Sequence, residues 1–255
     1  MTFINSIFLA FSTFSVLPAP KTDWNEKNMR YMMCAFPFVG LVIAFFCALF
    51  YRLSVRVNLP LPLSALIFTF IPIFTSGGIH FDGFMDTIDA LSSHASREKK
   101  LEILKDSHSG AFAILGCVIY ILSFFVFSLL IFAKIDFRNL LVLLSVFFIS
   151  RVLSAFAVAT FPIAKNSGLI HTFSSASHRK FTAVWCLFCL FSASFFAILF
   201  GRFLGIALVA SSLSVFCWYF VIAVKNFGGI TGDTAGFFLQ LCELSAVIVF
   251  AIASL

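Results

Sequence analysis

Runs of about 20 apolar residues recur seven times along the 255-residue chain, at about 31–51, 58–79, 111–133, 139–162, 181–200, 203–224 and 235–255. That is the length an α-helix needs to cross a hydrocarbon core of roughly 30 Å. Composition excludes a soluble globule: 61% of residues are hydrophobic and 11% charged, with a mean hydropathy of +1.07, too little charge to cover a water-facing surface. The expected fold is all-α: one polytopic membrane helix bundle over residues 1–255, with about seven transmembrane helices. The opening stretch Phe3 to Leu17 is apolar but only about 15 residues long, so it suits a short interfacial or re-entrant helix as well as an eighth span. It is a poor signal peptide, because no basic segment precedes it and no small-residue cleavage site stands out before Pro18.

The net charge of +6 raises nucleic acid as a partner, but Lys and Arg are dispersed over short loops and form no stripe with interleaved aromatics. Anionic headgroups of the lipid bilayer are the expected contacts, with no nucleic acid. The seven Cys all fall inside apolar runs, where a thiol behaves as a small hydrophobe; the Cys186-x-x-Cys189 spacing has no His or carboxylate beside it and reads as packing. If the spans alternate, one side of the membrane collects eleven Lys and Arg, from Lys21 to Lys225, and the other five: Arg52, Arg56, Lys134, Arg138 and Arg202. By the positive-inside rule the first side faces the cytoplasm. It also receives the polar loops at about 80–110, 163–180 and 225–234, so the chemistry is expected at that face.

Six of the 11 acidic residues of the chain lie in one of those loops: Asp82, Asp86, Asp89, Glu98, Glu102 and Asp106. On a helix Asp82, Asp86 and Asp89 stand at about 0°, 40° and 340°, one narrow stripe opposite Phe84, Met85, Ile88 and Leu91. Carboxylates held that close repel and raise one another's pKa unless a cation sits among them. An all-oxygen set favours Mg²⁺, Mn²⁺ or Ca²⁺ over zinc, and Mg²⁺ held partly by substrate phosphates is the leading expectation. The competing reading is a solvated polar face on an amphipathic helix. His80 lies near 160° on the same wheel, away from the carboxylates; it is carried as a candidate catalytic residue beside the helix start.

Residues Ser96 to Gly110 read as a surface helix, with Ser96 as N-cap and Gly110 at its end. Arg97, Lys99, Lys100 and Lys105 can clamp phosphates there, and Asp106 can act as metal ligand or base. Ordinary Glu/Lys pairing explains Arg97 to Lys100 as well. The segment Lys225-Asn-Phe-Gly-Gly-Ile-Thr-Gly-Asp-Thr-Ala-Gly236 places glycines, hydroxyls and Asp233 ahead of an apolar helix, a setting that favours an anion and equally serves as a simple turn. Arg151 and Glu243 fall inside spans, and intramembrane ionisable residues face the bundle interior; they form a structural pair or take part in function.

The motifs Gly77-Gly-Ile-His-Phe-Asp-Gly-Phe-Met-Asp-Thr-Ile-Asp-Ala90, Arg97-Glu-Lys-Lys-Leu-Glu-Ile-Leu-Lys-Asp-Ser107 and Gly228-Gly-Ile-Thr-Gly-Asp233 resemble the signatures of the cobalamin synthase family. Phe36-Pro-Phe-Val-Gly40, Ser150-Arg151 and Phe161-Pro-Ile-Ala-Lys-Asn-Ser-Gly168 match its other landmarks in the same order, so the resemblance covers essentially the whole chain. It implies an integral membrane transferase that joins α-ribazole, or its 5′-phosphate, to adenosylcobinamide-GDP with Mg²⁺ and release of GMP. On matching positions it implies Asp82, Asp86 and Asp89 as metal ligands, Asp106 and Asp233 as a second metal site or the base, and Lys105 and Arg151 against phosphate. Oligomers are possible. Two positions depart from the pattern: Ala90 follows Asp89 where the family often has Gly, and Thr13-Phe-Ser-Val-Leu-Pro18 replaces an Arg-containing segment.

CDP-alcohol phosphotransferases and membrane prenyltransferases also work on diphosphates with Asp-rich helices. The first spread their acids over a longer motif and the second need two such motifs. A transporter would require polar residues spread through the spans and inverted repeats, neither of which the chain has.

Overall fold

The computed structural model describes residues 2–165 and 168–253; Asn166 and Ser167 of the expected 163–180 loop lie outside them, as do the last two residues of the expected final span. Among the described residues twelve helices follow one another without a strand: α1 (Thr2–Phe14), α2 (Glu26–Met29), α3 (Met32–Arg56), α4 (Leu61–Thr75), α5 (Ile79–Ser92), α6 (Arg97–Ile103), α7 (Ala111–Phe132), α8 (Phe137–Thr160), α9 (Leu169–Ala176), α10 (Arg179–Gly201), α11 (Phe203–Phe227) and α12 (Gly232–Ala253). Six of them, α3, α7, α8, α10, α11 and α12, are long and apolar enough to cross a membrane. They coincide with six of the seven apolar runs.

The run at 58–79 behaves differently. Helix α4 has 15 residues, about 22 Å at 1.5 Å per residue, and α5 leaves it at 93°. The cause is local. Gly77 and Gly78 both take positive φ, 66° and 75°. Gly78 N–H donates to Ile73 O at 2.9 Å and Gly77 N–H to Phe74 O at 3.0 Å, the paired bonds of a Schellman C-cap. The Ser76 hydroxyl donates to Pro72 O at 2.9 Å, occupying a further terminal carbonyl. The apolar run thus ends in a sharp bend, and α5 lies across the first turns of α7 and α12. Helix α1, at 13 residues, is about 20 Å long and too short to cross. It packs on α3, burying Leu9 and Ala10, and Ser6 Oγ donates to Asn28 O at 2.6 Å.

Helices α8 and α12 form the centre: 78% and 67% of their most apolar stretches are buried, against 17% for α10 and 22% for α7. Close approach to α8 depends on a small residue, since a side chain on Gly40 of α3 would collide with the backbone carbonyl of Phe147. Arg151 of α8 and Glu243 of α12 meet in this core, both essentially fully buried. The guanidinium also donates to Ser150 Oγ at 2.9 Å and to Phe147 O at 3.3 Å. At the end of the bundle away from the acids, Tyr51 O–H donates to Ile135 O at 2.7 Å and the Arg52 guanidinium stacks 3.8 Å from the centre of the Phe137 ring.

A buried ion pair is fragile when one partner is removed. Glu243→Leu should cost about 3–5 kcal/mol by stranding the Arg151 charge, read as a lowered Tm in detergent. Arg151→Met combined with Glu243→Leu should recover most of that loss; a single variant as stable as the parent contradicts the pairing.

Candidate active site

Helix α5 runs antiparallel to the start of α12, and two glycines set the distance between them. A Cβ on Gly83 would stand 2.7 Å from Asp233 Cα, and one on Gly236 would stand 2.6 Å from the His80 carbonyl oxygen. No larger residue permits backbones to approach so closely. The rest of the inner face is aromatic: Phe81 and Phe84 each pack 5.1 Å from the Tyr120 ring, and Phe84 stacks on Phe237 at 5.9 Å. With that face buried, Asp82 is left exposed and Asp86 and Asp89 half-buried on the opposite side, as the helical wheel requires.

The close approach brings Asp233, the second residue of α12, to the acidic stripe. Burial first, then repulsion from Asp82, Asp233 and Asp89, push the Asp86 carboxyl up to about 6. Asp89 sits against Gly110, where any side chain would collide with its carboxylate. Gly110 is the N-cap residue of α7, so Asp89 places negative charge at a helix N-terminus that has no capping side chain of its own. This differs from the expectation that Gly110 closes the preceding helix. Helix α6 ends at Ile103, its Ser96 cap accepting from Lys99 N–H at 3.4 Å as anticipated, and residues 104–110 are irregular.

Helix α6 is locked over this end of the bundle. Lys100 Nζ donates to Asn226 Oδ1 at 2.7 Å, the Arg97 guanidinium lies on Gly228, and Lys165 Nζ donates to Leu101 O at 2.9 Å. The Gly-rich turn is held from its other side by a parallel bridge between Ile163 and Ile230, in which Ile230 N–H donates to Pro162 O and Ala164 N–H to Ile230 O. Thr231 and Thr234 cap α12 reciprocally: Thr234 N–H donates to Thr231 Oγ1 at 3.1 Å and Thr231 N–H to Thr234 Oγ1 at 2.8 Å.

The structure therefore unites Asp82, Asp86, Asp89 and Asp233, with Lys105 facing Asp233 across a cleft. The other sequence candidates stand elsewhere. His80 is buried behind α5, its ring 5.8 Å from both Phe14 and Phe36, and its Nε2 has no hydrogen-bond partner. Asp106 is exposed at the rim, where the His108 imidazole and N–H bond it and hold its carboxyl below the ordinary range. Arg151 lies in the core against Glu243. Among the described residues no three His, Cys, Asp or Glu side chains converge closely enough to ligate one ion by themselves. Lys165 was not among the sequence candidates. A single lysine in a loop carries no periodic signal, and it reaches the site only through the Ile163–Ile230 bridge.

Two outcomes follow from this geometry. In the cation-free protein Asp86 holds a proton that the unfolded chain loses near pH 4, so stability should fall as pH rises from about 4 through about 6. Asp82→Asn should lower the Asp86 midpoint, followed by the carboxyl band in infrared difference spectra, and an unmoved midpoint contradicts the clustering. Gly83→Val should separate α5 from α12 and cost more than tenfold in activity, since misplacing reacting groups by about 1 Å costs on the order of 10²-fold; unchanged activity contradicts the contact.

The family model described as cobalamin-5-phosphate synthase matches residues 6–251. A protein of Lachnoclostridium phytofermentans named adenosylcobinamide-GDP ribazoletransferase is 39% identical over 99% of this chain and 95% of its own length. Proteins of the same name from Clostridium perfringens and Fusobacterium nucleatum are 31% and 29% identical, each over 98% of both chains. No solved structure matches the chain. The chain, a multi-pass membrane transferase, belongs to the cobalamin-5-phosphate synthase family.

Proposed function

We propose that the protein transfers the adenosylcobinamide phosphate group of adenosylcobinamide-GDP to α-ribazole or α-ribazole 5′-phosphate, with release of GMP, at the cytoplasmic face of the bacterial plasma membrane. The observation that carries this reading is the meeting of the α5 carboxylates with Asp233 at one end of the bundle, beneath the basic helix α6. The excess of Lys and Arg on that side supports the orientation.

Mg²⁺ fits the residues present. The donors are all carboxylate oxygens, and the raised Asp86 marks a cluster short of positive charge. Mg²⁺ characteristically takes one or two carboxylates and completes its shell with water and phosphate oxygens, which suits a site where no three protein ligands converge beforehand. Asp82 and Asp86 would hold it, with Asp89 fixing α5 against α7. When bound, the ion would neutralise the diphosphate and polarise the phosphorus under attack.

The remaining work falls to the chain's own groups. A ribose hydroxyl of the acceptor attacks the phosphorus bearing the cobinamide arm, the bond to the GMP oxygen breaks, and the hydroxyl proton passes to a carboxylate. Asp233 is the first candidate for that role, since it belongs both to the acidic cluster and to the adjacent cleft. Asp106 at the rim is the second candidate. Lys105 offers an ammonium to a phosphate oxygen. His80 acts from behind, filling the space between α5, Phe14 and Phe36, and Arg151 fixes α8 to α12 through Glu243. Positioning and charge stabilisation supply most of the rate in such transfers.

The test is purified protein in nanodiscs with Mg²⁺, adenosylcobinamide-GDP and α-ribazole, followed by GMP release. Asp82→Asn and Asp86→Asn should each lose at least 10²-fold, roughly the share commonly carried by one group that stabilises transition-state charge, while keeping the parent's elution profile and Tm. Absence of GMP from the parent protein, or full activity in both variants, overturns the proposal.

A further inference from the structure

Beside the acidic cluster lies a cleft of about 200 Å³ lined by Leu104, Lys105, Ile163, Lys165, Ile230 and Asp233 among others. It is built from three separate parts of the chain: the end of α6, the segment after α8, and the turn before α12. Two of the chain's lysines face it, and among the described residues neither is in a salt bridge. Lys165 Nζ gives one of its three N–H bonds to Leu101 O, which fixes the ammonium and leaves two donors free. Burial and then the charge of Lys105 push the Lys165 ammonium below its ordinary value, with Asp233 opposing. Two positive charges are thus brought together, with Asp233 the one carboxylate among the residues that line the cleft.

The size of the cleft limits what enters. Pockets for drug-sized ligands run to roughly 300–1,000 Å³, so a space of about 200 Å³ accepts a phosphate and the first atoms of its ester, not a nucleotide or a corrinoid. Asp233 forms the wall shared with the acidic cluster. A group bound in the cleft therefore borders the acidic cluster through Asp233.

We propose that the Lys105–Lys165 cleft is a phosphate-monoester subsite, with Lys165 as its fixed cation and Lys105 as its mobile one. The inference rests on the reaction proposed above. Two monoesters are present in that reaction, the 5′-phosphate of a phosphorylated acceptor and the phosphate of the leaving GMP. The shared wall at Asp233 favours the first: a ribose whose hydroxyl meets Asp233 carries its 5′-phosphate into the cleft. The subsite would then decide whether the acceptor is used with or without its phosphate.

The experiment compares kcat/KM for α-ribazole 5′-phosphate and α-ribazole in the parent, Lys165→Gln and Lys165→Arg, alongside calorimetric binding of inorganic phosphate and inhibition by GMP. Lys165→Gln should lower the ratio of the two kcat/KM values about tenfold or more, the worth of a hydrogen bond to a charged group, and weaken phosphate binding in parallel. Lys165→Arg should restore much of both, separating lost charge from lost folding, and Tm should confirm that each variant is folded. An equal fall for both acceptors, or an unchanged ratio with unchanged phosphate binding, overturns the subsite. An unchanged ratio with weakened GMP inhibition overturns the acceptor assignment and moves the phosphate to the leaving nucleotide. A parent that binds phosphate through Lys165 yet releases no GMP would refute the reaction while leaving the subsite standing.

Discussion

The contact of α5 with α12 through Gly83 and Gly236 is the constraint on which the active end of the bundle depends. Each glycine faces backbone of the other helix, so the separation is set by main-chain atoms and not by adjustable side chains. It has two prerequisites. The Gly77–Gly78 turn directs α5 across the bundle, because both residues adopt the left-handed conformation that costs glycine nothing. The Thr231–Thr234 capping pair then starts α12 at a defined residue, which aims Asp233 at the α5 carboxylates. Without the turn, α5 would continue along the axis of α4 and its aspartates would not meet Asp233.

The cost of collecting like charges is visible in Asp86, whose carboxyl is pushed up to about 6 by burial and by its neighbours. Such a site is under-compensated in positive charge. Lys105 and Lys165 stand on the far side of Asp233. Positive and negative groups thus meet at Asp233, and in the proposed reaction a phosphorylated substrate with its counter-ion would bridge the two sides. The Arg151–Glu243 pair serves a different purpose: it is fully satisfied in charge, buried, and ties the two central helices together.

Much of this was legible in the residues. Six spans followed from apolar length alone, and the acidic stripe from its helical spacing. Arg151 and Glu243 could be matched because so few ions fall inside spans. The bend after α4 was harder, since hydropathy averages over Gly77 and Gly78 and reads 58–79 as continuous; only their φ values expose the right-angle turn. Gly110 was misplaced because glycine closes and opens helices equally well, and the Asp89 carboxylate that makes it the start of α7 comes from another helix. Lys165 lay within the Phe161–Gly168 landmark but had no periodic signal that placed it at the site, because its position beside Asp233 comes from a bridge between segments more than sixty residues apart.

The central claim is that Asp82 and Asp86 of α5 act as one cation site beside Asp233 of α12. Binding of Mn²⁺ as a spectroscopic stand-in for Mg²⁺, measured by electron paramagnetic resonance with a diphosphate present, tests it in the parent, Asp82→Asn, Asp86→Asn and the double variant. The account predicts that each single variant weakens binding and that the double variant is little worse than the poorer single one, since both lose the same ion. Independent, additive losses, or undiminished Mn²⁺ binding in the double variant, would contradict it.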